Sequence, residues 1–388
     1  MGRTKKSALL ATLACTVTVT LGAGAGTAAA TPARPACGNH QALQSALNGL
    51  TGQHRLAGAV AEVVDPACGT WAGASGVADV RTGRPASAED RFRIGSVTKT
   101  FTATVVLQLA AEGRLSLDST VEDHLPGLVQ GGRYDGRAIT VRQLLQQNGG
   151  LPDHADAFAD ADVDWLRHHR FAPRELVEAA LRLPQPKPGW HYSTTNYVLA
   201  GLVVEHVTGR SIEDEVTRRV IDPLRLRDTY WPGMAEDSRG RHSHSYFTAE
   251  RDGVPVRVDG TRWNTSAGGA GGALISTPSD VNRFLAALLG GRLLPAEQLA
   301  EMRTTVLGDP ERLGSKGRYG LGLITEPLAC GGIWTGHTGS TRAGHHTVTA
   351  MAPGGRQATI AINESPTTDA AANAVLAALD TALCPPRT

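Results

Sequence analysis

Arg93-Ile94-Gly95-Ser96-Val97-Thr98-Lys99-Thr100-Phe101-Thr102 is the stretch from which the rest of this chain is read. Val97, Phe101, Val105 and Leu109 recur at a helical period, and Val106 and Ala110 widen the apolar face. With Gly113 as the stop, the pattern predicts one helix over 97–112. Ser96 at its start and Lys99 one turn later share a helix face, roughly 5–6 Å apart between Cβ atoms. A weak nucleophile thus stands beside a possible base, with helix N-terminal amides available to an oxyanion. The plainer reading makes Ser96 an N-cap and Lys99 a solvated first-turn charge. Composition favours the chemical one. From residue 31 onward the chain has three lysines, Lys99, Lys187 and Lys316, against 32 arginines. Arginine stays protonated inside a protein and would serve if only charge were needed, whereas lysine can release its proton.

The first 30 residues read as a secretory signal rather than as part of the fold. Arg3, Lys5 and Lys6 form a basic start, an apolar run follows from Ala8 to about Leu21, and Ala28-Ala29-Ala30 is a small-residue cleavage site. A lipoprotein signal ending at Cys15 fits less well, because the apolar run continues past it. A secreted, extracellular protein cleaved near Ala30 is expected, and no later stretch is apolar for long enough to span a membrane. Residues 31–388 hold 35 basic and 37 acidic side chains. This near-neutral balance argues against a nucleic-acid partner. Four cysteines remain, Cys37, Cys68, Cys330 and Cys384, an even set that suggests two disulfides in an exported chain. Three pairings are open; sequence proximity favours Cys37 with Cys68 and Cys330 with Cys384.

Taken in order, the chain predicts a helix over 42–50 and strands over 57–64 and 70–80, turning at Asp65-Pro66. Residues 114–270 read as mostly helical, with helices over 141–147, 173–181 and 195–209 and another capped by Ser211. Thr277-Pro278-Ser279-Asp280 opens a helix to residue 289. Strands return at 332–336, 345–352 and 357–363, the last two joined by Pro353-Gly354-Gly355, and an alanine-rich helix follows over 367–383. Strands at both chain ends with helices between imply an α/β architecture. In it, one antiparallel sheet is built from both ends and flanked by helices. The sheet lobe takes 31–113 and 271–388, and an inserted helical lobe takes 114–270. The histidine pairs His168-His169, His242-x-His244 and His345-His346 lack accompanying ligand spacing, so they are read as surface or packing residues, with no metal and no cofactor.

Two further stretches carry chemistry. Tyr192-Ser193-Thr194 sits at the edge of a helix, and Gly336-His337-Thr338-Gly339-Ser340 lies on a strand whose small residues let backbone approach a ligand. With Ser96-Val97-Thr98-Lys99, and in this order, they resemble the serine beta-lactamase and penicillin-binding superfamily. The likeness is greatest to exported D-alanyl-D-alanine carboxypeptidases and class C-like enzymes. Leu115-Ser116-Leu117-Asp118, Leu125-Pro126-Gly127, residues 139–145 and Tyr319-Gly320-Leu321-Gly322 resemble family segments too.

The resemblance implies a beta-lactamase/transpeptidase-like fold and assigns roles. Ser96 would be acylated, Lys99 would be its base, and Tyr192 would relay the proton. The Ser96 and Ser340 amides would form the oxyanion hole. Thr194, Trp263, His337, Thr338, Gly339 and Ser340 would bind substrate, with Thr338 on a carboxylate and His337 in place of a lysine. Thr194 departs from the usual Asn and cannot present an amide NH₂ and a carbonyl together; Asn196 would substitute only in a different register. Gln147-Asn148-Gly149-Gly150 replaces the usual His-Thr-Ser-Gly. The implied activity is D-Ala-D-Ala carboxypeptidase action on peptidoglycan-type stem peptides by a monomer. Alternatives are an esterase or D-amino acid amidase, then a beta-lactamase, then a non-hydrolytic penicillin-binding protein.

Overall fold

The computed structural model describes residues 39–384. The segment read as a signal and Cys37 lie outside the described residues. In chain order the main elements begin with α1 (His40–Gly52), β1 (Gly58–Asp65), β2 (Gly69–Asp79) and α2 (Thr98–Ala111). The middle of the chain carries α3 (Pro173–Leu181), α4 (Thr194–Thr208), a hairpin of β3 (Tyr246–Arg251) and β4 (Val254–Asp259), and α5 (Pro278–Leu289). The last stretch supplies β5 (Ile324–Pro327), β6 (Ile333–Ser340), β7 (His346–Met351), β8 (Gln357–Ile362) and α6 (Asp369–Leu383).

The long strands of one nine-stranded antiparallel sheet run in the order β5-β6-β7-β8-β1-β2, with short strands at 306–307 and 318–319 beyond β5 and at 84–85 beyond β2, so the last strand of the chain pairs with the first. That closure is why β1 and β8 read as apolar runs instead of alternating ones: both sheet faces are covered there. On one face, Leu43, Leu47 and Leu50 of α1 and Val375, Leu379 and Leu383 of α6 pack with Ala61 and Ile360. On the other, α5 brings Phe284, Leu285 and Leu288 into a second cluster with Val60 and Ala361. Each such fully buried side chain contributes about 1.5–3 kcal/mol. Cys330, in the β5–β6 connection, is bridged to Cys384 at the end of α6, 54 residues away. A loop closure of that kind typically contributes about 2–4 kcal/mol.

Two features differ from the sequence reading. The β3–β4 hairpin falls inside the stretch expected to be helical; it turns at Asp252-Gly253, both with positive φ, the two-residue turn that matches strand twist. More consequential is α2. The predicted one-sided apolar stripe is there, but Thr98, Lys99, Thr100, Thr102 and Thr104 on the other sides are buried too. The helix runs through the middle of the molecule. Its threonines are accommodated by hydrogen bonding: Thr100 Oγ1 donates to Gly322 O at 2.8 Å and Thr102 Oγ1 to Ala270 O at 2.6 Å. Among the described residues no helix is long and apolar enough to cross a membrane.

Candidate active site

Glycine brings the Ser96 turn and β6 into contact. Gly95 has φ +53°, and a Cβ there would stand 2.7–2.8 Å from the backbone O and N of Ser340. A Cβ on Gly339 would meet Ile94 O at 2.0 Å and Ser96 N at 3.1 Å. Only two glycines allow this approach. Ser96 sits in the 3₁₀ turn Gly95–Val97, just before α2, and caps neither helix. Thr341 N donates to His345 O at 3.0 Å, so by the two-residue period of the ladder the Ser340 amide turns away from β7. It points to the side where Ser96 lies.

Lys99 is fully buried, which rules out the solvated-charge reading. Its Nζ donates to Ser96 Oγ at 3.0 Å, Gly271 O at 2.9 Å and Thr194 Oγ1 at 3.4 Å. All three acceptors are neutral oxygens, and Lys99 forms no ion pair among the described residues. Gly271 comes from the glycine-rich 267–273 run; a Cβ there would lie 2.7 Å from Thr194 Cγ2 and 3.2 Å from Lys99 Nζ. The missing side chain at Gly271 therefore lets its carbonyl reach the amine.

Tyr192 and Thr194 are hung on two residues that sequence reasoning did not single out as part of the site. Asp153 Oδ2 accepts from Thr194 N at 3.0 Å and from Thr194 Oγ1 at 3.1 Å, anchoring the start of α4. Burial works to raise the Asp153 pKa, but His154, the Thr194 and Ala155 amides and Lys99 together hold it below the usual carboxylate range. Gln147, at φ +64°, accepts from Ser193 N at 3.0 Å through Oε1, and its carbonyl accepts from His191 N at 3.1 Å. The same Oε1 takes Asn196 Nδ2 at 2.7 Å, which commits Asn196 to the interior and excludes it as a substitute for Thr194. The Tyr192 ring lies 4.9 Å from Lys99 Nζ and 4.6 Å from the Arg312 guanidinium. Its hydroxyl is buried without a hydrogen-bond partner among the described residues.

Ser96 opens onto a cavity of about 170 Å³ lined by Thr194, Trp263 and Ser340 together with Phe158 and Leu166. Trp263 is a wall, stacked edge-on against Phe247. The rest of the predicted binding set behaves differently. His337 does not line the cavity: it is 1% exposed, with Nε2 at 3.0 Å from Tyr319 Oη. Burial, aided by the nearby Lys99 charge, pushes its pKa down to about 3, so it offers no cation to a substrate. The correction has a simple cause, since alternate residues of a strand face opposite sides and His337 takes the inner one. Thr338 is half-buried on the other side, and Gly339 is used for backbone contact. The Asp153 signal was partly local: as N-cap of the turn His154–Phe158 it accepts from Ala155 N. Its bond to Thr194, 41 residues on, was not.

A hydroxyl and an amine in hydrogen-bond contact, a tyrosine ring beside the amine, and the close approach of the Ser96 and Ser340 backbone are the parts that serine acyl transfer calls for. Comparison with known proteins agrees. Residues 43–382 match the beta-lactamase family, and the chain belongs to it. It is similar to a D-stereospecific amidohydrolase from Streptomyces sp. at 39% identity and a TM-score of 0.78, over 88% of this chain and 98% of that one. The D-amino acid amidase of Ochrobactrum anthropi SV3, solved with L-phenylalanine, is 26% identical at a TM-score of 0.75, over 87% and 98%. Penicillin-binding protein 4 of Amycolatopsis lactamdurans is 31% identical over 285 residues, 70% of this chain and 71% of that protein.

Proposed function

We propose that this serine hydrolase is an exported amidohydrolase cleaving the bond that follows an apolar D-residue, in D-amino acid amides and D-peptides. The observation that carries the reading is the Ser96–Lys99 contact at 3.0 Å opening directly onto an apolar cavity. The D-stereospecificity rests on the Streptomyces amidohydrolase and the Ochrobactrum amidase to which the chain is similar. Export rests on the signal-like first 30 residues.

Lys99 takes the Ser96 proton as Oγ attacks the scissile carbonyl. The tetrahedral oxyanion is held by the amides of Ser96 and Ser340, where one donor is typically worth about 3–4 kcal/mol. Tyr192 passes the proton to the leaving nitrogen, the C–N bond breaks, and ammonia or an amine departs. Water then attacks the acyl-enzyme through the same groups, releasing the D-acid and free Ser96. The acyl side chain occupies the cavity of Phe158, Leu166 and Trp263.

D-Ala-D-Ala carboxypeptidase action is the second reading, favoured by the likeness to penicillin-binding protein 4. His337, buried and neutral, adds no cation for a substrate carboxylate, which on that reading falls to Thr338 and to the Arg312 guanidinium 4.6 Å from the Tyr192 ring. The test is ammonia release from D- and L-phenylalaninamide beside D-alanine release from a diacyl-D-Ala-D-Ala tripeptide, using residues 31–388. Ammonia from the D-amide, abolished in Ser96→Ala, is the expected result. D-alanine release without amide turnover would install the carboxypeptidase reading instead.

A further inference from the structure

A second cavity, of about 300 Å³, lies against the first. The two share Leu166, Trp263 and Arg342 as walls, and Ala161, Phe247 and Thr248 bound the far side of the second. Trp263 is the partition. It is 8% exposed and its indole is held edge-on by Phe247 with 5.9 Å between ring centroids. The wall therefore does not swing freely. Arg342 forms the rim: it is exposed, and its two terminal nitrogens donate to Phe158 O and Ala155 O, each at 2.9 Å. With the guanidinium occupied by carbonyls, what Arg342 offers to a ligand is mainly its aliphatic stem.

Neither cavity includes Tyr192, the group beside which the leaving nitrogen must sit. Both therefore belong to the acyl side of the scissile bond. One side chain cannot fill both, because Leu166 and Trp263 stand between them. An extended peptide can, since it crosses an exposed rim as backbone and sends successive side chains to different places.

We propose that the second cavity receives an apolar side chain of the residue preceding the acylating D-residue. The preferred substrates are then N-extended D-peptides and peptide amides, not free amino acid amides. This rests on the amidohydrolase reading above and adds the length and chemistry of the substrate.

The test compares D-phenylalaninamide, glycyl-D-phenylalaninamide and D-leucyl-D-phenylalaninamide on the wild type and on Ala161→Phe and Thr248→Trp. The two variants fill the cavity from different walls, and neither position touches Ser96, Lys99 or Tyr192. The D-leucyl compound should show kcat/KM about tenfold above the glycyl one, the scale on which apolar pockets discriminate. Both variants should erase that gap while D-phenylalaninamide turnover stays within about twofold, which also reports folding. Equal wild-type rates on the glycyl and D-leucyl compounds overturn the subsite, as does a gap that survives both variants. If either variant loses all turnover, the other and the wild-type ratio decide. Hydrolysis of none of the three by a wild type whose Ser96 still labels with a fluorophosphonate refutes the amidohydrolase reading itself, and the subsite with it.

Discussion

On one side of Ser96 lie Lys99, Thr194, Asp153 and Gln147, joined by hydrogen bonds of 2.9–3.4 Å and borne by the first turns of α2 and α4 and the loop between them. On the other side lie Phe158, Leu166 and Trp263, carried by short helices and loops, whose apolar side chains meet the cavity by packing. The two sides meet different demands. Proton transfer fails when a donor moves by a fraction of an ångström, so it is served by fixed backbone and by side chains that hydrogen bonds hold in place. Recognition of an apolar side chain needs volume and dryness, which loops supply and readily vary. Chemistry and specificity should therefore come apart under mutation.

The largest effect expected from breaking this division is at Lys99. Lys99→Arg keeps the charge and reach but cannot take a proton, so labelling of Ser96 by a fluorophosphonate should slow by at least about 10²-fold. A wild-type labelling rate in that variant would make Lys99 a structural cation and dissolve the comparison. Next comes Asp153, a positioning residue. Asp153→Ala releases Thr194 and should lower kcat by about ten- to a hundredfold with KM little changed, while Asp153→Asn, which keeps an acceptor, recovers part of the loss. A change in KM alone would move Asp153 to the binding side.

Trp263→Ala should do the reverse. Labelling stays at the wild-type rate, while the preference for D-phenylalaninamide over D-alaninamide shrinks by about tenfold. The smallest effect is in stability against pH. His337, held near pKa 3 in the folded chain and at the ordinary 6.5 when unfolded, takes a proton only on unfolding between those values. Its contribution is whole above pH 6.5 and is lost as pH falls, by at most about 1.4 kcal/mol per pH unit. Urea midpoints of His337→Asn should consequently decline less than those of the wild type between pH 6.5 and 4, and parallel declines would show that the imidazole is not the group titrating.

Much of the architecture was legible before any coordinates. The strands at both chain ends and the caps at Thr140, Ser211 and Thr277 follow from local chemistry and are found, and Cys330–Cys384 is one of the pairings that sequence proximity favoured among three. The β3–β4 hairpin carries its own local signal as well, since Asp252-Gly253 is a two-residue turn pair, although the stretch around it reads as mostly helical. Thr194 illustrates the boundary. Its departure from Asn was plain in the sequence; that its hydroxyl accepts from Lys99 and is fixed by a carboxylate from residue 153 was not.

Sequence alone determined the period that makes α2 a helix, the one-turn spacing of Ser96 and Lys99, and the caps that open the helices after Thr140, Ser211 and Thr277. These are properties of neighbouring residues, set by backbone dihedrals and by side chains three or four positions apart. Tertiary structure alone decided that α2 is buried on every side, that Gly271 delivers a carbonyl to Lys99, that His337 is neutral and turned inward, and that Trp263 divides two cavities. Burial, charge state and cavity shape depend on what distant segments place around a residue, and no local pattern encodes those neighbours.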